Sequence, residues 1–494
     1  MILTGYSQVS PKCNIAFNLH ACSPKVLSEE IIMKNNIDID DIVETIPAST
    51  KNIGLIKLNV RSFAGYAEAN YKEKEAQLFY WFFESQKFHA DQSRNKEEIG
   101  KTPLIIWLNG GPGSPSTLGL FLENGPYKIQ DDSSGELIEN KYSWNKEAHV
   151  MYWDQPIGTG YSNIKGEVPE TTFVESEDEL SEIFYQALQY FLSKHPEYRS
   201  CPLFVTGESY GGKYVPNIAM KIHDKNSAET EEDKINLKGI AVGDGWIDAK
   251  LQMKVYIDYA YTLGYLDAFQ KDETLYNYEG ETPNNYKDFC IALDNKKWHH
   301  AYNISNNIVE NVSALGGNFN PYDIRSFSEI SMESVRTYME LPAVKKALHI
   351  QEDQKWNCAD NKGPVADNLI EDNMQNSSPK YSEFIKNEDL YKVLMYTATF
   401  DTACGSLSTE LILYNLNKWN NSEDNDAWKK LHREIWAQPS NNVKGFIKQY
   451  KNLTQIVLPN SGHQVPYFKP EISRDMIYKW ISEEKFPTYS PIQK

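Results

Sequence analysis

The chain has 494 residues, 40% of them hydrophobic and 13% aromatic, with no long low-complexity tract, so it can bury a sizeable core and is neither fibrous nor disordered. Its formal net charge of −18 argues against nonspecific binding to nucleic acid or to an anionic membrane surface. No apolar run reaches the roughly eighteen residues that a spanning helix needs, so no membrane insertion is expected.

In chain order, residues 1–47 have few periodic runs and read as an N-terminal extension or propeptide-like segment. Gln8, Lys12, Asn14, Asn18 and His20 interrupt the compact apolar centre that a signal peptide requires. Three explanations stay open: the native start lies upstream, the leader is unconventional, or the protein is not exported. From Ile53 on, Gly54 to Val60 and Ala76 to Phe83 read as two antiparallel strands, joined by a link that ends in the charged stretch Lys72 to Glu75. His89 to Lys101 reads as a charged surface loop.

Leu104 to Leu108 is apolar without alternation, the pattern of a strand buried on both faces of a parallel or mixed sheet. It runs into Asn109-Gly110-Gly111-Pro112-Gly113. A P-loop is excluded there, because no Gly-Lys-Ser/Thr follows. A plain tight turn is one reading; the other is a loop whose backbone amides face a reacting group. His149 to Trp153 is the next strand, and Asp178 to Ser193 carries apolar residues at helical spacing up to His195-Pro196.

Leu203 to Thr206 is again an apolar strand, and it enters Gly207-Glu208-Ser209-Tyr210-Gly211, with a helix expected over Lys213 to Asp224. A serine at this place in a Gly-x-Ser-x-Gly turn between strand and helix is a nucleophile elbow, which exposes the hydroxyl while glycines admit close backbone packing. Ser209 is the candidate nucleophile. Acyl chemistry at Ser209 needs two amides aimed at the developing oxyanion, one from the residue after the nucleophile and one from an early strand-to-helix loop. Tyr210 and Gly111 fill those places.

A further strand covers Lys238 to Val242. Between about Leu251 and Cys358 the strand rhythm stops, and the region reads as a largely helical cap insertion over the carboxyl edge of the sheet. The rhythm returns with Tyr391 to Tyr396 and Gln455 to Leu458, each leading to a polar loop, and a last helix is expected from Pro470 through Glu483. Asp401 follows the first of these strands and His463 the second. The order Ser209, Asp401, His463, each after a strand, is the chain order of α/β-hydrolase triads. The fold class is therefore α/β: an α/β-hydrolase fold with a mixed, mostly parallel central sheet flanked by helices, its core split into 48–250 and 366–494 around a cap at 251–365.

The six cysteines, Cys13, Cys22, Cys201, Cys290, Cys358 and Cys404, have no spacing suited to zinc, which leaves disulfides or buried thiols. Sequons begin at Asn303, Asn311, Asn376, Asn420 and Asn452; they are glycosylation sites if the protein is secreted and compositional coincidences of an asparagine-rich chain otherwise.

Taken together, Trp107 to Gly113, Glu123 to Pro126, Tyr142 to Asn145, Asp154 to Ser162, Gly207 to Gly212, Asp401 with Cys404, and Gly462 to Pro466 resemble the serine carboxypeptidases of the carboxypeptidase Y and cathepsin A type, over about Ile53 to Ile481. The resemblance implies hydrolysis of the last peptide bond of peptides or proteins, in a lysosomal, vacuolar or secreted setting, without metal or organic cofactor, by a homodimer. It also implies a pocket for the substrate's free α-carboxylate made by Trp107, Asn109, Glu123 and Glu208, with Leu118, Leu122 and Gln464 around an apolar leaving residue. Two carboxyls held together retain a proton at acid pH, so activity on peptides is expected to favour acid. One departure is plain: such enzymes have a cysteine after the Gly113 motif, bridged to one near Cys358, and here the position is Ser114, so that bridge cannot form. An acyltransferase or esterase on the same scaffold is the alternative, and a noncatalytic protective protein a third class that an intact triad disfavours.

Overall fold

Six strands made of apolar runs lie parallel at the centre of the molecule: Leu104–Leu108, His149–Trp153, Leu203–Glu208, Leu237–Gly243, Lys392–Ala398 and Leu453–Leu458. The computed structural model describes residues 40–88, 95–130, 132, 134–167, 170–277, 285–359, 362–416, 422–437 and 442–489. In space the six run Leu453, Lys392, Leu237, Leu203, Leu104, His149, within a mixed sheet of 12 strands. The chain starts in the middle at Leu104–Leu108, steps outward to His149–Trp153, and crosses back to Leu203–Glu208 on the other side. That reversal opens a crevice beyond the carboxyl ends of the Leu104 and Leu203 strands, where ligands of open α/β sheets bind.

The sheet is mixed as expected, with antiparallel strands on both flanks. Val443–Tyr450 and Glu434–Ala437, which carry no strong sequence signal, extend one side. On the other, the antiparallel pair is Ser62–Tyr71 with Lys74–Phe83, which corrects the expected first strand. Of Gly54 to Val60, only Leu55–Lys57 is strand, and it pairs with Thr45–Pro47 outside the main sheet. Ser62–Tyr71 escaped notice because its residues are mostly small or polar. Its two-residue turn, Lys72-Glu73, has φ of 47° and 63° without the Asn-Gly or Asp-Gly pair that signals such hairpins.

Helices cover the faces. Ser176 caps Glu177–Lys194 by accepting from the Glu179 amide at 3.2 Å, and the helix packs on Gly211–Asn226 beside the sheet. Trp480 of the Pro470–Ser482 helix meets Phe204 edge-on at 5.3 Å. In the expected charged loop, Lys96–Lys101 is a helix with Asn95 as its N-cap, while 89–94 lie outside the described residues. The extension expected at 1–47 lies outside the described residues as far as 39. Its last residues are instead built into the core: Val43 and Ile46 are buried, and buried Asp41 accepts hydrogen bonds from His195 Nε2 at 2.8 Å and from the Tyr80 hydroxyl.

Between Leu237–Gly243 and Lys392–Ala398 the chain makes a long helical excursion that includes Ala249–Thr262, Tyr286–Asp294 and Trp298–Leu315. These helices close their own apolar cluster around Met253, Ile257, Phe289, Ile304 and Ile308. Ile370–Met374 packs on Trp298–Leu315, so this layer continues past residue 365, whereas Ser378–Lys386 packs against the sheet side. Among the described residues no helix is long and apolar enough to cross a membrane. Cys201, Cys290 and Cys404 are free thiols. Asn303 and Asn376 are exposed, whereas the Asn452 amide donates to the Phe384 and Tyr391 carbonyls at 3.0 and 2.8 Å; Asn420 lies outside the described residues.

Candidate active site

Ser209 sits one residue past its strand with φ 60°, a conformation disfavoured for any residue with a Cβ and held here by neighbouring backbone. Its amide donates to the Gly243 carbonyl at 3.1 Å, and its carbonyl accepts from the amides of Gly212 and Trp246, both at 2.8 Å. Gly207 is required by the same packing, since a Cβ there would stand 2.6 Å from the Leu108 carbonyl oxygen. The elbow therefore rests on two adjoining strand ends.

The loop after Leu104–Leu108 closes on the elbow from the other side. A Cβ at Gly110 would lie 2.4 Å from the Tyr210 amide nitrogen and 2.7 Å from the Ser209 Cβ, so only glycine lets the two loops meet. Gly111 follows with φ 103° and a cis bond to Pro112. Among the described residues neither the Gly111 nor the Tyr210 amide donates to a backbone carbonyl, which leaves both for a ligand oxygen.

Asp401 and His463 meet across two more strand ends. Their side chains approach to 2.7 Å between Asp401 Oδ2 and His463 Nδ1, and Asp401 is fully buried. Asp401 Oδ1 accepts from the Ala403 and Cys404 amides at 2.8 and 3.1 Å, which orients the carboxylate. The His463 amide donates to the Tyr322 carbonyl at 2.8 Å, and the Tyr322 ring packs against the imidazole at 4.9 Å between centroids. His463 and Ser209 line the same cavity, of about 350 Å³. A larger surface groove of about 1070 Å³ near Tyr391 and Trp480 holds none of these residues.

Beside Ser209 the four residues singled out for carboxylate binding form one hydrogen-bonded group. Trp107 Nε1 donates to Asn109 Oδ1 at 2.9 Å, and Asn109 Nδ2 donates to Glu123 Oε1 and to Glu208 Oε1, both at 3.1 Å. Asn109 is thereby held with its amide between two buried acids. The two carboxyls are within hydrogen-bonding reach of one another, and among the described residues no N–H or O–H meets the Oε2 of either. A proton shared between them answers that arrangement. Burial first, and the neighbouring Glu123 charge second, hold Glu208 well above the usual carboxylate range; burial raises Glu123 as well.

Leu118 and Gln464 line the cavity, but Leu122 does not. The backbone passes from a short α turn at Thr117–Gly119 to a wider π turn at Leu120–Asn124, and Leu122 joins the core with Phe121 and Tyr338. The opposite wall is made by residues that no motif marked: Asn320, Tyr322, Ile330 and Met332 of the excursion, and Tyr467 and Phe468 after His463. For the excursion residues the sequence offers only a mixture of aromatic and charged residues in a region without strand rhythm, and Tyr467 and Phe468 lie just past the motif that ends at Pro466.

The family model described as serine carboxypeptidase matches residues 54–483. Serine carboxypeptidase S10 family member 1 of Dictyostelium discoideum is 32% identical over 425 residues, covering 85% of this chain and 93% of its own. The probable serine carboxypeptidase CPVL of Homo sapiens is 30% identical over 445 residues, 87% of this chain and 85% of its own. Among solved structures, Kex1Δp, a prohormone-processing carboxypeptidase from Saccharomyces cerevisiae, shares the α/β-hydrolase fold at a TM-score of 0.74 with 21% identity, covering 90% of this chain and 96% of that one.

Proposed function

Because this chain belongs to the serine carboxypeptidase family and is a serine-type carboxypeptidase, we propose that it removes the last residue of peptides with Ser209, His463 and Asp401 as its triad, most effectively at acid pH. The observation that carries this reading is the hydrogen-bonded Trp107–Asn109–Glu123–Glu208 group, of which Asn109 and Glu208 line the cavity beside Ser209. Both Asn109 N–H groups and the shared proton are spent within the group when the site is empty; a free α-carboxylate that displaces one of these internal bonds takes over its donor, and a mid-chain peptide brings no such charged acceptor.

In this mechanism His463 accepts the Ser209 hydroxyl proton as Oγ attacks the last peptide carbonyl, and Asp401 stabilises the imidazolium. The Gly111 and Tyr210 amides hold the tetrahedral oxyanion. The C–N bond breaks as His463 passes that proton to the departing amino acid's nitrogen, leaving an acyl ester on Ser209. Water then loses a proton to His463 and attacks the ester; the C–O bond to Ser209 breaks and Oγ takes the proton back.

The sign of the pH effect follows from the raised carboxyls. Below their shifted range the pair keeps its proton and donates; above it, a second negative charge faces the substrate's carboxylate, and affinity falls. The test is amino-acid release from an N-blocked dipeptide at mildly acid pH, compared with its C-terminal amide and with Ser209→Ala. Release from the free acid alone, lost in the variant, is expected. Release from acid and amide alike would overturn the carboxylate pocket, and turnover of esters but no peptide would favour an esterase or acyltransferase. Two exposed sequons, at Asn303 and Asn376, support a lysosomal, vacuolar or secreted setting, which subcellular fractionation with glycosidase treatment decides. The homodimer implied by the resemblance is decided by sedimentation velocity.

A further inference from the structure

The segment Gly243 to Trp246 touches both ends of the triad. Its Gly243 carbonyl and Trp246 amide hold the Ser209 backbone, and Asp244, the first of the two residues between them, reaches the opposite way. The Asp244 amide donates to the Tyr396 carbonyl at 2.9 Å, and its Oδ1 accepts from the Ala398 amide at 2.9 Å, at the start of the turn that carries Asp401. Asp244 is fully buried with φ 41°, and its carboxyl lies within hydrogen-bonding reach of the Asp401 carboxyl.

Its second oxygen is the unexplained part. Among the described residues no N–H or O–H meets Asp244 Oδ2. On Asp401 the lone pairs are nearly accounted for: Oδ1 takes two amides, and Oδ2 takes the His463 N–H, which leaves room for one more donor. Two buried carboxylates in contact repel, whereas a carboxylic acid beside a carboxylate makes a short, charge-assisted hydrogen bond. The Glu123–Glu208 pair shows the same pattern of orphaned oxygens.

We propose that Asp244 is a positioning residue that works protonated, donating a hydrogen bond from its carboxylic acid to the Asp401 carboxylate and so fixing the acid of the triad. This rests on the triad assignment above. The groups facing Asp244 agree with a neutral acid: Asp401 and Cys404 on the turn, Tyr396 on the adjoining strand, Glu208 at the end of the nucleophile strand, and His463 only beyond Asp401. None of them places a cation against its carboxyl. Burial and the Asp401 charge hold Asp244 well above the usual carboxylate range. When pH rises far enough to take the proton, two carboxylates oppose each other and the Asp401 turn loses its tie.

The consequence belongs to kcat, whereas the Glu123–Glu208 pair acts on the affinity for free-acid peptides. The experiment therefore uses an N-blocked amino-acid ethyl ester, which lacks the α-carboxylate, and compares kcat against pH for the parent and Asp244→Asn. Asparagine tolerates this backbone conformation, keeps a carbonyl for the Ala398 amide and provides a permanent N–H toward Asp401. The alkaline limb of kcat is expected to move up by about one pH unit or more, with acid-side kcat within about threefold of the parent. Asp244→Leu is expected to lose kcat at every pH. An Asp244→Asn profile that overlays the parent's would overturn the proposal. If that variant does not fold, neutron diffraction of the native protein at mildly acid pH decides it: a deuteron between Asp244 and Asp401 supports the proposal and its absence overturns it. Ester turnover that survives Ser209→Ala would instead refute the triad assignment itself.

Discussion

Every group proposed to touch the reacting bond stands on a loop just past the carboxyl end of a parallel strand, whereas the facing residues Asn320 to Met332 come from the long excursion between two strands, with Ile330 and Met332 packed against the main core. The floor is held from several directions at once: Ser209 by Gly243 and Trp246, Asp401 by two amides, Asn109 by Trp107 and two glutamates. Two buried acids with raised pKa, Asp154 and Glu208, also stand at the carboxyl ends of these strands. Under the proposed function, chemistry and carboxylate recognition belong to the floor, and the roof shapes the remaining space around the substrate.

Ser209→Ala carries the largest expected effect, a loss of at least about 10⁴ in kcat on peptides and esters alike. A smaller loss would mean that the floor does not supply the nucleophile. Glu208→Gln comes next: kcat/KM for free-acid peptides is expected to fall by about 10²-fold while ester turnover stays within a few fold, and the rise of peptide KM with pH is expected to flatten. Equal losses on both substrates would place the acid pair in the chemical step instead of in recognition. On the roof, Met332→Ala is expected to change the ranking of dipeptides with different last residues by about tenfold, with kcat for a small ester unchanged. An unchanged ranking would show that the roof does not read the substrate.

The smallest effect concerns stability. Burial raises Asp154 from 3.8 to about 7 and Glu177 from 4.5 to about 8, so the folded chain retains protons that the unfolded chain has given up. Their contribution is fully present below the unfolded values and is lost as pH rises through the folded ones. Lys213, lowered to about 8 by burial, acts in the reverse direction, and only above that value. The thermal midpoint is therefore expected to fall between pH 5 and 8. Glu177→Gln should flatten the slope by up to about 1.4 kcal/mol per pH unit. An unaltered slope would show that Glu177 is ionised in the folded state.

Where a function depends on a local turn, it was legible in the residues. Gly207 to Gly211 spells a strand-to-helix elbow, Gly110-Gly111 a loop that backbone must approach, and the buried runs before Asn109, Ser209, Asp401 and His463 put each on the same edge of the sheet. The usual hairpin signal was absent at Lys72-Glu73, and the strand Ser62–Tyr71 was correspondingly missed. Leu122, which the resemblance put beside the leaving residue, stands in a π turn among core residues, a turn type that residue order alone does not announce.

Sequence alone thus determined the sheet's buried strands and put the triad candidates Ser209, Asp401 and His463 each just past one of them, because each strand and turn is encoded by neighbours in the chain; the pocket candidates Trp107, Asn109, Glu123 and Glu208 came from the resemblance. Only the tertiary structure showed that Asp244 meets Asp401 and left the outer oxygens of both acid pairs without N–H donors. Asp244 and Asp401, like Glu123 and Glu208, are distant in sequence, and their contact depends on strand order, on burial and on how many N–H donors the surrounding backbone can spare. Hydrogen-bond satisfaction in a closed interior is a property of the packed neighbourhood, and no single stretch of residues contains it.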